Sequence, residues 1–138
     1  VMNYAALRAG RENEVAKELT ELISLAHGHD QLVKVITENC YLTEPQMLTA
    51  LRLCEDAGAD FIKTSTGFGS AGAKIEQIAL WAAKRRGSIK LKAAGGIKTL
   101  PDALALIAAG AGRLGTSNAT ALLAEMRGQK PTAATGGY

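Results

Sequence analysis

Aromatic residues and long apolar runs are scarce in this chain, and each scarcity excludes a class of protein. Phe, Trp and Tyr make up 4% of the 138 residues, and the 16 basic residues are not gathered into blocks, so no basic and aromatic surface of the kind that binds nucleic acid is present. No segment approaches the roughly 18 consecutive apolar residues that span a membrane, and the N-terminus lacks a basic region followed by a hydrophobic core. We therefore expect a cytoplasmic protein with neither nucleic-acid nor membrane partners.

Cysteine is also rare. Cys40 and Cys54 show no metal or redox spacing, and we expect reduced structural thiols. His27 and His29 flank a glycine and superficially resemble a metal pair, but we place both in a solvated helix-to-strand loop. With 47% hydrophobic and 21% charged residues, the composition is that of one ordinary soluble domain.

Short β-branched runs alternate with longer helical patterns. Because the strands are continuously apolar, this alternation indicates an α/β fold with a parallel sheet covered by helices, either an open doubly wound sheet or part of a (β/α)8 barrel. We expect 1–127 to form this domain and the Gly- and Thr-rich segment 128–138 to be a flexible tail. The predicted strands are 1–4 (the end of a strand), 32–38, 59–66, 89–94 and 113–115, and the predicted helices are 11–27, 43–57, 73–86, 99–109 and 119–127.

Three lysines recur at a fixed interval inside predicted strands. Lys34, Lys63 and Lys92 are 29 residues apart, which is one strand-plus-helix unit, and each lies in the second half of its strand. If the strands are neighbours in register, the lysines project from one face, opposite the helices, into a barrel lumen. A lone strand lysine is most often a surface residue. Three crowded and partly buried ammonium groups disfavour one another's charge, so we expect at least one lysine pKa well below its usual value of about 10.4.

Two glycine-rich segments follow predicted strands. Gly95 and Gly96 let backbone amides approach a ligand, and the segment 115–118 leads into the last helix, where an anion is favoured. Strand-to-helix turns favour glycine in any case, but the nearby lysines favour a phosphate site. Lys98 can add a cation there.

Three motifs in order resemble deoxyribose-phosphate aldolases: Gly58-Ala59-Asp60-Phe61-Ile62-Lys63-Thr64-Ser65-Thr66-Gly67-Phe68, then Lys92-Ala93-Ala94-Gly95-Gly96-Ile97, then Arg113-Leu114-Gly115-Thr116-Ser117. The segments 1–7 and 32–38 are also similar to that family, so the resemblance covers nearly the whole chain. It implies the C-terminal half, about four and a half βα units, of a TIM (β/α)8 barrel.

The resemblance implies a class I aldolase without metal or cofactor that cleaves 2-deoxy-D-ribose 5-phosphate to D-glyceraldehyde 3-phosphate and acetaldehyde. Lys63 matches the family's Schiff-base lysine, and Lys92 matches the second lysine that depresses the pKa of the first. The candidate substrate- and phosphate-binding residues are Lys34, Thr66, Gly67, Gly95, Gly96, Lys98, Gly115 and Ser117. Tyr138 matches a terminal tyrosine that reaches the active site in some members, although it also fits the end of a disordered tail.

One departure from the family leaves alternatives open. The acidic proton-transfer residue of the family falls about two positions ahead of Val1, and the first half of the barrel has no counterpart here. We expect a fragment that pairs with a missing N-terminal half or another copy, as a homo-oligomer. A catalytically silent half-barrel that binds sugar phosphate, and another Schiff-base barrel such as a transaldolase, remain as alternatives.

Two acidic residues lie near the lysines. Glu38 ends a predicted strand and could act as a base, but an ion-pair partner for Lys34 or Lys63 is the simpler interpretation. Asp60 alternates to the face opposite Lys63 and is expected to face a helix.

Overall fold

A computed structural model describes residues 1–129 as a parallel sheet flanked by helices. The helices are α1 (Tyr4–Arg8), α2 (Glu12–His27), α3 (Glu44–Asp56), α4 (Ile75–Lys84), α5 (Leu100–Ala108) and α6 (Ala119–Met126), and the strands are β1 (Lys34–Ile36), β2 (Phe61–Lys63), β3 (Lys90–Ala94) and β4 (Arg113–Gly115). A short 3₁₀ helix, Asn39–Tyr41, follows β1. No helix within the described residues is both long and apolar enough to cross a membrane.

The four strands are parallel and lie in chain order, β1-β2-β3-β4. A doubly wound sheet reverses its strand order at a switch point, whereas a barrel keeps sequential order throughout. The observed order is therefore that of a barrel arc and confirms the predicted α/β architecture.

The core lies between the sheet and the helices. Val35, Ile62 and Leu91 occupy paired positions on the helix-facing side of β1, β2 and β3, and all three are buried. Trp81 of α4 is fully buried against this layer, and its indole N–H donates to the carbonyl of Met47 at 3.2 Å. Because the helices take this side of the sheet, the opposite side is left for the site.

The predicted elements are present, with shorter ends. Strand 32–38 contracts to β1 and strand 59–66 to β2, although backbone hydrogen bonds continue just beyond those limits, from the Thr37 amide to the Lys63 carbonyl and from the Thr64 amide to the Lys92 carbonyl. The prediction that 1–4 ends a strand is wrong for Tyr4, which begins α1 after Asn3 caps the helix by accepting from the Ala6 amide. Only the Met2 amide continues the ladder, donating to Ile36 at 3.0 Å. Most of the predicted tail, 128–138, lies outside the described residues, as does Tyr138.

A carboxylate ties α3 to the segment between α4 and β3. The side chain of Glu55 is 7% exposed and accepts hydrogen bonds from the guanidinium groups of Arg52 and Arg86 and from the amides of Arg86 and Gly87. Burial raises the pKa of the Glu55 carboxyl, but these donors together outweigh burial and lower it.

Replacing Glu55 with Gln is therefore expected to lower the free energy of unfolding by about 2 kcal/mol at neutral pH, the scale of lost hydrogen bonds to a charged group. A carboxyl whose pKa is lower in the folded state stabilises the fold above its unfolded pKa and loses that contribution as the pH falls through the folded pKa. The difference in stability between wild type and E55Q, measured by urea unfolding, should shrink towards acid pH. A difference that grows on acidification would contradict this assignment.

Candidate active site

The sheet face away from the helices carries a row of cations. Lys63 pairs with Lys92, and Lys92 pairs with Arg113, so three basic side chains stand side by side on β2, β3 and β4. Lys34 is displaced by two residues along the strand, since its partner is Phe61 and the partner of Lys63 is Ile36. The lysines therefore share one face, as the sequence predicts, but only Lys63 and Lys92 share a level.

Phe61 lies beneath this row and is buried by the cations around it. The Nζ atoms of Lys34 and Lys90 lie 5.3 and 5.8 Å from its ring centre, and the guanidinium carbon of Arg113 lies 4.4 Å from it. These distances fit cation–π contacts, which hold the cations on this face. The ammonium group of Lys34 therefore contacts the ring of Phe61.

Lys92 is the lysine of this row whose pKa is lowered. Its partial burial lowers the pKa of its ammonium group, and the charges of Lys63, Lys34 and Arg113 lower the pKa further. Gly115 leaves space for the side chain, because a β-carbon there would lie 3.1 Å from Cε and 3.6 Å from Nζ of Lys92. The predicted depression of a lysine pKa is therefore found at Lys92.

A lysine with a lowered pKa is more often unprotonated at a given pH, so Lys92 should be modified faster than an exposed lysine such as Lys17. We expect reductive methylation at mildly alkaline pH, followed by peptide mass spectrometry, to show this order. Replacing Lys63 with Met removes one repelling charge, so it should raise the pKa of Lys92 and slow its modification. An unchanged or faster rate in K63M would contradict the electrostatic cause.

A cleft of about 520 Å³ opens where the strands end. It brings together every predicted site residue except Lys34 and Lys92; its lining consists of Lys63, Thr66, Gly67, Phe68, Ala94, Gly95, Gly96, Ile97, Lys98, Gly115, Thr116 and Ser117. Phe68, Ala94, Ile97 and Thr116 were not among the predicted residues, although all four fall within the quoted motifs. The cleft thus combines a strand lysine with glycine amides, hydroxyls and a second cation.

Two loops form one wall of the cleft, and Thr116 joins them. Its hydroxyl donates to the Ile97 carbonyl at 2.6 Å and accepts from the Asn118 amide at 2.9 Å. Gly95 and Gly96 both adopt positive φ, at 84° and 75°, which side chains rarely tolerate. Paired left-handed glycines and hydroxyls suit an anion better than an apolar ligand.

Glu38 and Asp60, the two acidic residues near the lysines, have different partners. Glu38 does not pair with Lys34 or Lys63, and that prediction is wrong, because its carboxylate accepts from the amide and hydroxyl of Thr66 instead. Asp60 faces α2 as predicted and contacts His27 at 2.9 Å; this hydrogen bond is the main reason that the pKa of Asp60 is lowered.

The histidine prediction holds only in part. His27 is the last residue of α2 and not part of the loop, whereas His29 lies in the loop and is exposed. Among residues 1–129, no group of three or more His, Cys, Asp or Glu side chains is placed to hold a metal ion.

Fold and cleft together define an α/β barrel segment in which a lysine lies at the strand ends, beside a wall of glycines and hydroxyl side chains. A protein-family model described as "DeoC/LacD family aldolase" matches residues 1–122, and the chain belongs to this family. The deoxyribose-phosphate aldolase of Carboxydothermus hydrogenoformans is 45% identical over 125 residues, covering 89% of this chain and 55% of that protein. That of Thermococcus gammatolerans is 47% identical over 118 residues, covering 86% and 52%.

Solved structures of aldolases have the same fold as this chain. An aldolase named QR15 superposes with a TM-score of 0.85 at 39% identity, covering 93% of this chain and 57% of that one. The tetrameric deoxyribose phosphate aldolase from Aeropyrum pernix gives a TM-score of 0.77 at 30% identity, covering 84% and 50%. The chain spans about half the length of the relatives it matches, so its fold is half of a TIM barrel.

Proposed function

We propose that this chain carries the Schiff-base lysine and the phosphate wall of a class I aldolase that acts on 2-deoxy-D-ribose 5-phosphate. The observation that carries the proposal is the position of Lys63, which lines the cleft with Gly95, Gly96 and Ser117 while its strand partner is Lys92. The relatives named above are deoxyribose-phosphate aldolases, which supports this substrate.

In the proposed reaction, the Lys63 amine adds to the C1 aldehyde and water leaves, forming an imine. The 3-hydroxyl then loses its proton, the bond between C2 and C3 breaks, and its electron pair moves to C2 and the imine nitrogen. D-glyceraldehyde 3-phosphate departs, the enamine is protonated at C2, and water releases acetaldehyde from Lys63.

The phosphate of the substrate is proposed to bind at the phosphate wall, the side of the cleft lined by Gly95, Gly96, Lys98 and Ser117. The backbone amide of Gly96 and the hydroxyl of Ser117 are donors of the type that phosphate accepts, and Lys98 supplies a positive charge, whereas the Gly95 amide already donates to the Gly115 carbonyl. Lys34 is proposed to contribute charge from its place over Phe61 rather than direct contact with the ligand.

Assembly is part of the proposal. β1 and β4 are the edge strands of the sheet, and exposed apolar side chains remain on the helices, including Leu22 and Leu25 of α2, Ile107 of α5 and Met126 of α6. We propose that a further half-barrel covers these edges, that the assembled protein is a homo-oligomer as the Aeropyrum pernix enzyme is, and that it acts in the cytoplasm without a cofactor.

Borohydride reduction in the presence of 2-deoxy-D-ribose 5-phosphate tests the function. We expect a covalent adduct on the chain, and we expect inorganic phosphate to slow its formation by competing for the phosphate wall. Phosphate binding without any adduct would favour the silent half-barrel instead. Equal labelling by aldehydes of unrelated sugars would favour another Schiff-base barrel.

A further inference from the structure

Glu38 is a buried carboxylate without a role in the chemistry proposed above. Its side chain belongs to a residue only 5% exposed, and its backbone is left-handed, with φ 46° and ψ 62°. Glu38 and Asp30 are the only non-glycine residues with positive φ in the described part of the chain. A glutamate held in this conformation costs energy, so the surrounding contacts must fix it.

The sheet fixes both neighbours of Glu38. The Thr37 amide donates to the Lys63 carbonyl at 3.0 Å, and the Asn39 amide donates to the Thr64 carbonyl at 2.8 Å. The two donors are two residues apart in the chain, whereas their two acceptors after β2 are only one residue apart. This mismatch is a bulge, and Glu38 is its extra residue. The bulge directs its carboxylate to the residues that follow β2.

The carboxylate of Glu38 meets one residue of the cleft. One oxygen accepts from the Thr66 amide at 3.1 Å and the other from the Thr66 hydroxyl, and that hydroxyl in turn accepts from the Phe68 amide at 3.0 Å. Gly69 packs on the same group, since a β-carbon there would lie 3.1 Å from Glu38 Oε1. Thr66, Gly67 and Phe68 all line the cleft.

We propose that Glu38 is a positioning residue that sets the near wall of the cleft, Thr66–Phe68, for a phosphorylated ligand. The inference rests on the proposed function, because it assumes that this cleft binds the sugar phosphate. Glu38 touches no ligand; it acts through Thr66, whose hydroxyl needs an acceptor for its own proton while it accepts from Phe68. The near wall then lies at a fixed distance from the opposite wall of the cleft, the glycine wall formed by Gly95 and Gly96, and ordered binding requires this fixed distance.

Substitutions at both ends of the contact test this assignment. Glu38→Gln leaves only a weaker, neutral acceptor for the Thr66 amide and offers the hydroxyl a donor, while Thr66→Val removes the hydroxyl. We expect each change to weaken inorganic phosphate binding by about tenfold, the equivalent of one lost charge-assisted hydrogen bond. The double variant E38Q/T66V should be no weaker than either single variant, because both remove the same interaction.

Three comparisons separate positioning from general destabilisation. E55Q removes a buried carboxylate outside the cleft, so it should lower the melting temperature and leave phosphate affinity unchanged. In E38Q the rate of borohydride trapping of acetaldehyde at Lys63 should also stay unchanged, since acetaldehyde has no phosphate. Hydrogen exchange should speed up at the Thr66 and Phe68 amides of E38Q and remain slow at Thr64, whose amide bonds to Lys92.

The outcomes are distinct. Equal loss of phosphate affinity in E38Q and E55Q, additive effects of E38Q and T66V, or unchanged exchange at Thr66 and Phe68 would each overturn the role of Glu38. A wild-type chain that is trapped at Lys63 but binds no phosphate would also overturn it while the Schiff-base proposal stands. A chain that binds phosphate but is never trapped would refute the Schiff-base proposal, and the exchange and affinity results would still decide the role of Glu38.

Discussion

Lys63→Arg is expected to abolish borohydride trapping of acetaldehyde. Arginine keeps the positive charge beside Lys92, but its guanidinium group does not form an imine under these conditions. The trapping rate should fall to the background of the remaining lysines, among which Lys92 has a lowered pKa. Intact-mass spectrometry after reduction measures the ethylated fraction directly.

Lys90→Arg is the matched control for this variant. Lys90 lies on the same sheet face and contacts Phe61, but it is two residues below the level of Lys63 and outside the cleft. K90R should be trapped at the wild-type rate. If K63R and K90R are trapped equally, the nucleophile is another amine and the assignment of Lys63 is refuted.

Gly72→Ala is expected to produce the largest structural effect. Gly72 belongs to the loop between β2 and α4, and a β-carbon there would lie 2.1 Å from the carbonyl oxygen and 2.3 Å from the carbonyl carbon of Gly95. Both contacts are with backbone, so no side chain can rotate away. The next residue, Ala73, donates to the carbonyls of Ala94 and Gly95, which fixes the loop against the glycine wall.

The methyl group must therefore force the two loops apart. We expect G72A to lose about 3 kcal/mol of unfolding free energy, at the upper end of ordinary overpacking costs, and to lose phosphate binding because Gly95 lines the cleft. Gly87→Ala is the control, since nothing lies within 4 Å of its added carbon and its φ is not positive. Urea unfolding should separate the two variants; equal stability would contradict the close approach of the loops.

The placement of the lysines could be predicted from local sequence. A repeat of 29 residues and the alternation of side chains were enough to assign Lys63 and Lys92 to one face, because both rules act within a strand and its neighbour. The N-terminal ends of α3 and α5 could also be predicted, because Thr43, Thr99 and the prolines after them are strong signals for a helix start.

What escaped prediction depends on contacts between distant segments. The shift of Lys34 by two residues is a matter of strand register, which a regular interval in sequence does not determine. Glu38 contacts Thr66 only because a bulge displaces it, and Gly72 meets Gly95 across two loops. Helix α1 has five residues, too few for an amphipathic pattern, so it was not predicted, and its first residue, Tyr4, was assigned to the end of a strand.

The most direct test is to find which residue carries the ethyl group after acetaldehyde and borohydride treatment at neutral pH. Proteolysis and tandem mass spectrometry of the labelled chain locate the modified amine. The account predicts one dominant site, Lys63. Dominant labelling of Lys92, whose pKa is lowered, or labelling spread evenly over surface lysines would contradict it.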